Sequence, residues 1–266
     1  MAINLETDIQ VTSGVPEAPL LVIHGFDGSG KTTFAAGSSN NIFIQTEAGQ
    51  GILKINTFNF GKDRIATSYS QVLEAIEALQ TQDHDYETLV IDSLDHLEPL
   101  LWEDLCQKNN WSSIEAPGYG KGYTAASLEW RVLLKKLVKL RNTKGMAVVL
   151  IAHCQKSTID EPGESQITRW DLKLHPKSGA VVSETVDCVF FARHKVKLTT
   201  EQQGFGQTKK IGKDTGERIM ITEGGPHVNA KNRFKLPKEI PLSWDAFMSA
   251  MGESIKPSTE KEKANG

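Results

Sequence analysis

LLVIHGFDGSGKTTF, residues 20–34, decides the fold: an apolar run of strand character, a glycine-rich turn, then Lys-Thr-Thr opening a helix-compatible segment. Gly25, Gly30, Lys31 and Thr32 fill the fixed places of G-x-x-x-x-G-K-[ST], with Gly28 inside the turn. The strand-loop-helix setting is what makes this spacing a phosphate loop rather than an ordinary turn. Glycines let successive backbone N–H groups curve around phosphate oxygens, and the helix start adds its positive dipole. The loop residues Gly25, Phe26, Asp27, Gly28, Ser29, Gly30, Lys31, Thr32 and Thr33 are therefore expected to cradle a nucleoside triphosphate. Lys31 is expected at the β and γ phosphates and the Thr32 hydroxyl on Mg²⁺, which makes ATP and Mg²⁺ the expected cofactors.

Outward from the loop, short apolar runs alternate with amphipathic patterns. LLVIHG, NIFIQTE, ETLVIDS, GMAVVLIAH and VDCVFFAR read as strands; SQVLEAIEALQ, SLDHLEPLLWEDL and SLEWRVLLKKLVKLRN read as helices. Buried strands alternating with such helices predict an α/β fold, a mostly parallel central sheet with helices on both faces. GERIMITEGGPHVNAKNRF predicts a C-terminal β-hairpin turning near Gly224 and Gly225, and SWDAFMSAM a final short helix. The expected division is a lead over 1–17, one ATPase core over 18–251 and a disordered polar tail over 252–266.

The 266 residues, 39% hydrophobic and 24% charged, suffice for one large globular domain with a substantial core. No apolar run reaches membrane-span length and the start MAINLETDIQ is unlike a signal peptide, so a cytoplasmic location and no membrane partner are expected. Cys106, Cys154 and Cys188 are far apart in apolar or helical contexts and read as buried thiols. The net charge of −3 conceals segregation: ten acidic and no basic residues between Ile65 and Gln107, then six basic and no acidic ones between Arg131 and Lys144. A third block, Arg193 to Lys213, holds six basic residues against Glu201 alone. Such blocks set up local fields, or are solvated helix and hairpin faces.

Leu89-Val90-Ile91-Asp92 is an apolar strand ending in a carboxylate placed to bind Mg²⁺ in a Walker B manner. Ser93 follows it, so a water-activating base has to come from elsewhere. Glu47 ends the second predicted strand and His153 the fourth. In an open α/β sheet ligands gather at the carboxyl ends of strands, so the phosphate loop, Glu47, Asp92 and His153 are expected at one rim.

The order GFDGSGKTT, QTEAG, LVIDS, LIAHCQ resembles the RecA-type recombination ATPases, most closely the short RecA-core ATPases of bacteriophages that act with single-strand-binding proteins in recombination and annealing. The resemblance covers roughly residues 18 to 250. It implies a RecA-like P-loop NTPase in which Glu47 polarises the attacking water and His153, or Gln155, senses the γ phosphate. It further implies two DNA loops, at NNWSSIEAPGYGKGY and QKSTIDEPGESQITRWDLKLHPKSG, and a homo-oligomer, ring or filament, in which Lys231 and Arg233 reach a neighbour's γ phosphate. Tyr119, Lys121 and Tyr123 in the first loop, and Trp170, Lys173 and Lys177 in the second, are of the stacking and phosphate-binding types that single strands require.

The resulting expectation is a Mg-dependent, DNA-stimulated ATPase that binds single-stranded DNA, with a single-strand-binding protein as a further partner. The alternatives are another DNA-directed motor or loader, and a small-molecule phosphotransferase, for which no arginine-bearing lid is evident.

Overall fold

The computed structural model describes residues 18–49, 51–159, 166–203 and 207–255. In chain order the elements are β1 (Leu20–Gly25), α1 (Lys31–Ala36), β2 (Asn41–Gln45), β3 (Asn56–Thr57), α2 (Tyr69–Thr81), β4 (Thr88–Asp92), α3 (Leu94–Asn109) and α4 (Lys121–Lys144). There follow β5 (Ala147–Ile159), β6 (Ile167–Leu172), α5 (Pro176–Thr185), β7 (Cys188–Gln203), β8 (Gln207–Ile221), β9 (Lys231–Asn232), β10 (Glu239–Pro241) and α6 (Trp244–Ile255). They build one sheet in the order β10-β8-β7-β1-β5-β4-β2-β3, with β6 added to β5 and β9 to β7.

The pairings among β1, β2, β3, β4, β5 and β7 are all parallel. The α/β class and mostly parallel sheet expected from the alternating pattern are what the chain adopts. Successive strand residues point to opposite faces, and both faces are covered. Leu20, Val22, Ile44, Leu89, Ile91, Val148 and Leu150 join α2, α3 and α4 in one core. Leu21, Ile23, Phe43, Val90, Val149 and Ile151 join α1 and α6 in the other. Helix α4 shows why it lies where it does: Ala126, Trp130, Leu133, Leu134, Leu137 and Leu140 recur at helical spacing and are buried. It stops at Gly145, whose φ of 68° is left-handed and whose N–H bonds back to Arg141 O at 2.8 Å.

Register is what matters for function. Gly25 lies opposite His153 across β1 and β5, Asp92 opposite Ile151 across β4 and β5, and Gln45 opposite Asp92 across β2 and β4. Because β5 is inserted between β1 and β4, the ends of β1 and β4 flank its residues Ile151–His153 at one rim, and β5 itself continues beyond.

Several sequence expectations are corrected. The long antiparallel hairpin is β7 with β8, so the basic block at 193–213 lies on its strands. GERIMI pairs backwards with FARH rather than forwards across Gly224 and Gly225; there a bridge joins Gly225 to Val228, and Lys231–Asn232 pairs with β7. Pattern alone does not say which of two candidate partners a strand chooses. The second expected DNA loop is largely a β5–β6 hairpin followed by α5, with 160–165 outside the described residues. The first is helical from Lys121 on. Helix α6 continues to Ile255, past the boundary expected at 252, because Phe247, Ala250 and Met251 pack into the core. The lead over 1–17 and the tail from 256 lie outside the described residues. Of the three thiols Cys188 is buried, whereas Cys106 and Cys154 are only partly so. Among the described residues no helix is long and apolar enough to cross a membrane.

Candidate functional site

The last residue of β1 is Gly25, where β7 runs too close for anything larger: a Cβ there would lie 2.3 Å from the Ala192 carbonyl oxygen. The chain then turns through Phe26–Gly30, with Gly30 at φ 100° handing over to α1. That conformation is strained for any residue with a side chain. Lys31 is buried, and its ammonium donates to the Gly25 and Phe26 carbonyls at 3.1 and 2.9 Å. Burial pulls its pKa down, against the carboxylates of Asp92 and Asp27. Thr32 Oγ1 donates to Asp92 Oδ2 at 2.8 Å. Burial pushes the Asp92 carboxyl up to about 6; the Thr32 hydrogen bond offsets part of this and the Glu47 charge adds to it.

Beyond β4 the backbone is pinned by Thr46, whose hydroxyl donates to Ser93 O at 2.6 Å and accepts from Ser93 N–H at 2.8 Å. The first turn of α3 therefore projects Asp95 and His96 toward His153 on β5. Asp95 is almost wholly buried and holds His153 twice, accepting from its backbone N–H at 3.0 Å and pairing with Nδ1 at 2.9 Å. Burial raises the Asp95 pKa, but these hydrogen bonds outweigh it and keep the group below the usual carboxylate range. The hydrogen bond that His153 makes to Asp95 raises the His153 pKa in turn, against partial burial. The other ring nitrogen, Nε2, faces Asp27 Oδ1 at 3.1 Å. His96 Nδ1 lies 3.2 Å from Glu47 Oε2 and 3.0 Å from Ser93 Oγ.

A cavity of about 480 Å³ collects these groups. Its walls are the loop residues Asp27, Gly28, Gly30, Lys31, Thr32 and Thr33, then Glu47 just beyond β2, Asp92 at the end of β4, His153, the segment around Ile52 and Leu53, and Arg218. His153 does not end its strand as expected: β5 runs on to Ile159 because it pairs with β6 from Cys154 onward. The volume suits a small-molecule ligand. Gly25 and Ser29 are buried and Phe26 points outward, so these three shape the loop rather than line the cavity. The donor set also fits magnesium: a hydroxyl and a carboxylate already converge beside a buried ammonium, the hard oxygen donors that Mg²⁺ takes.

Three of the residues expected to act lie elsewhere. Lys231 donates to the carbonyls of Ser183, Glu184 and Val186 at 2.8, 3.0 and 2.7 Å, satisfying the open end of α5. Its ammonium is thereby engaged within its own subunit. Arg233 is half-exposed and leans on Asp187 Oδ1 at 3.5 Å. Gln155 donates to Leu174 O at 2.8 Å and lines a separate cavity, so the polar group that β5 brings to the phosphate loop is His153.

Sequence reading missed Asp95, His96 and Arg218. The first two had a signal, since they fall in the helical turn directly beyond the Walker B strand. Arg218 had none, because its place depends on the β7–β8 pairing. Its guanidinium reaches to 3.0 Å from the position a Cβ on Gly30 would take, and it is exposed to the cavity mouth. Arg218→Ala is expected to weaken ATP binding about 3- to 10-fold, measured by calorimetry, as befits one charge-assisted contact at a solvated rim.

The family model AAA_24, described as an AAA domain, matches residues 18–234. The chain belongs to this AAA family. It is thus an AAA-type P-loop NTPase. Among solved structures, one titled "Crystal structure of the RadB recombinase" is similar at 15% identity and a TM-score of 0.45, covering 88% of this AAA chain and 92% of the other. No curated protein matches the chain.

Proposed function

We propose that this AAA protein is a Mg²⁺-dependent ATPase that binds single-stranded DNA and works as an oligomer in DNA recombination or annealing, in the manner of the short phage RecA-core ATPases it resembles. The observation that carries the reading is a contact between two parts of the chain. Phe26, within the phosphate loop, meets Trp170 of the β5–β6 hairpin edge-on at 4.6 Å, and Lys156 sits 5.4 Å over the same Trp170 ring. The nucleotide loop therefore touches the segment that the resemblance assigns to DNA.

The two expected DNA segments also meet. The Tyr123 ring at the start of α4 stacks on His175 at 4.1 Å, and Lys177 Nζ donates to Thr124 Oγ1 at 2.7 Å. Lys121, Lys156, Lys173 and Lys177 are exposed on this side, and Tyr119 is fully exposed. Aromatic faces interleaved with lysines are what an unpaired strand requires.

At the cavity, Thr32 and Asp92 would hold Mg²⁺, which supplies charge neutralisation at the phosphates when bound. Lys31 exchanges two loop carbonyls for phosphate oxygens. Glu47, steadied by His96, accepts the proton of the attacking water. His153, held by Asp95, presents Nε2 where the terminal phosphoryl group would lie and donates there when the ring is protonated. Arg233 is the remaining candidate for a contact across a subunit boundary.

The test is phosphate release with and without single-stranded DNA over a salt series. Stimulation by DNA is expected, with apparent affinity falling at a slope of roughly −3 in log–log form, as four lysine–phosphate contacts on a single strand imply. Absent stimulation, or affinity indifferent to salt, would remove DNA from the reading and leave the nucleoside triphosphatase.

A further inference from the structure

We propose that Glu47, His96 and His153 form a binding site for a divalent transition-metal ion of the zinc class, separate from the Thr32–Asp92 position that suits magnesium. Each of the three offers a ligand atom, and these atoms lie within 4.8 Å of one another. Glu47 Oε2 and His96 Nδ1 are already 3.2 Å apart. Tetrahedral zinc with bonds near 2.0–2.1 Å spaces its ligands roughly 3.3 Å apart, so only His153 has to close in.

The surroundings of His153 favour a ligand role. Its Nδ1 is tied to the buried Asp95 carboxylate, which fixes the ring and leaves Nε2 directed toward the cavity. A ligating histidine almost always has such an outer carboxylate or carbonyl on its second nitrogen. On His96 the ligand nitrogen Nδ1 also has Ser93 Oγ at 3.0 Å, a contact that metal binding displaces, and its ring meets His153 at 6.1 Å in an edge-on arrangement. Asp27, on the phosphate loop and almost wholly exposed, approaches Nε2 at 3.1 Å. It must swing aside or become a fourth ligand, and an exposed side chain is free to do either.

The donor set also selects the ion. Two imidazoles and one carboxylate suit zinc, cobalt, nickel or iron, whereas magnesium demands oxygen ligands in near-ideal octahedral geometry. Two ions of different chemistry would then share one cavity wall, the hard one at Thr32 and Asp92 and the borderline one at the imidazoles. A Glu47 carboxylate bound to metal is unable to take a proton from water, so occupancy would silence turnover. That consequence rests on Glu47 acting as the base; the binding site does not.

The experiment is titration of untagged, nucleotide-free protein with Co²⁺, followed by visible d–d absorption, in excess Mg²⁺. Saturation at one ion per chain is expected, and Thr32→Ala should leave it in place. His96→Ala and Glu47→Gln should each weaken Co²⁺ binding by at least about 10-fold, and His96, at 45% side-chain exposure, is removed with little consequence for folding. Asp95→Asn should weaken it about 10- to 100-fold although no ligand is lost. Its amide donates to Nδ1 and forces the His153 proton onto Nε2. Circular dichroism of each variant identifies a folded chain. No saturable binding by the parent protein, or parental affinity in folded His96→Ala, overturns the proposal. Either outcome leaves the ATPase reading standing, since no nucleotide is present.

Discussion

Glu47→Gln is expected to bind ATP as the parent protein does and to hydrolyse it about 10²- to 10⁴-fold more slowly, the range a positioned general base contributes. The amide keeps the shape of the side chain and still accepts a hydrogen bond from His96 Nδ1, which lies 3.2 Å from the carboxylate. What it loses is the ability to take a proton. Single-turnover phosphate release measures the chemical step, and calorimetry with ATP measures binding. The expected split, rate lost and affinity kept, distinguishes a base from a residue that merely shapes the cavity. Turnover within a few-fold of the parent would show that another group activates water. His153 is the next candidate, because it lines the same cavity and Asp95 keeps its ring nitrogen Nε2 directed inward.

The same pair of residues shows how far the sequence could be read. Glu47, Asp92 and His153 were legible because each ends an apolar run, and a parallel sheet aligns its carboxyl ends at one rim. The register supplies the rest: Gln45 opposite Asp92 and Gly25 opposite His153. Asp95 and His96 were hidden for a different reason. Their role depends on the first turn of α3 being pinned through Thr46 and Ser93, a tertiary contact spanning 47 residues that leaves no trace in local pattern. Arg218 depends on β8 pairing with β7, and a run such as GERIMI carries no mark of whether its partner precedes or follows it. Lys231 shows the converse. A lysine near a predicted hairpin reads as free, whereas three carbonyls at the end of α5 claim it. Strand ends and loops carry their chemistry in sequence; side chains that complete a site from a distant element do not.

Asp92→Asn should show that the site is held at a cost to stability. Turnover in Mg²⁺ is expected to fall on the order of 10²-fold or more, since a metal ligand supports several kcal/mol of transition-state stabilisation and each 1.36 kcal/mol is tenfold. In nucleotide-free protein with chelator, the same variant should be more stable than its parent. The sign follows from the raised pKa: the folded chain holds the Asp92 proton up to about 6, against 3.8 ordinarily, so it binds more protons than the unfolded chain between those values. Stability attached to this group is full below the ordinary value and is lost as pH rises through 6. Near neutral pH the ionised, buried carboxylate therefore weighs against folding by about 1–3 kcal/mol. Asparagine removes that charge while its carbonyl still accepts from Thr32 Oγ1, now 2.8 Å from the carboxylate. Urea unfolding at pH 7.5 should give a higher midpoint for the variant, and the advantage should shrink toward pH 5. A variant destabilised equally at both pH values would mean that the charge is already compensated by Lys31, and a variant that retains turnover would move the magnesium ligand away from Asp92.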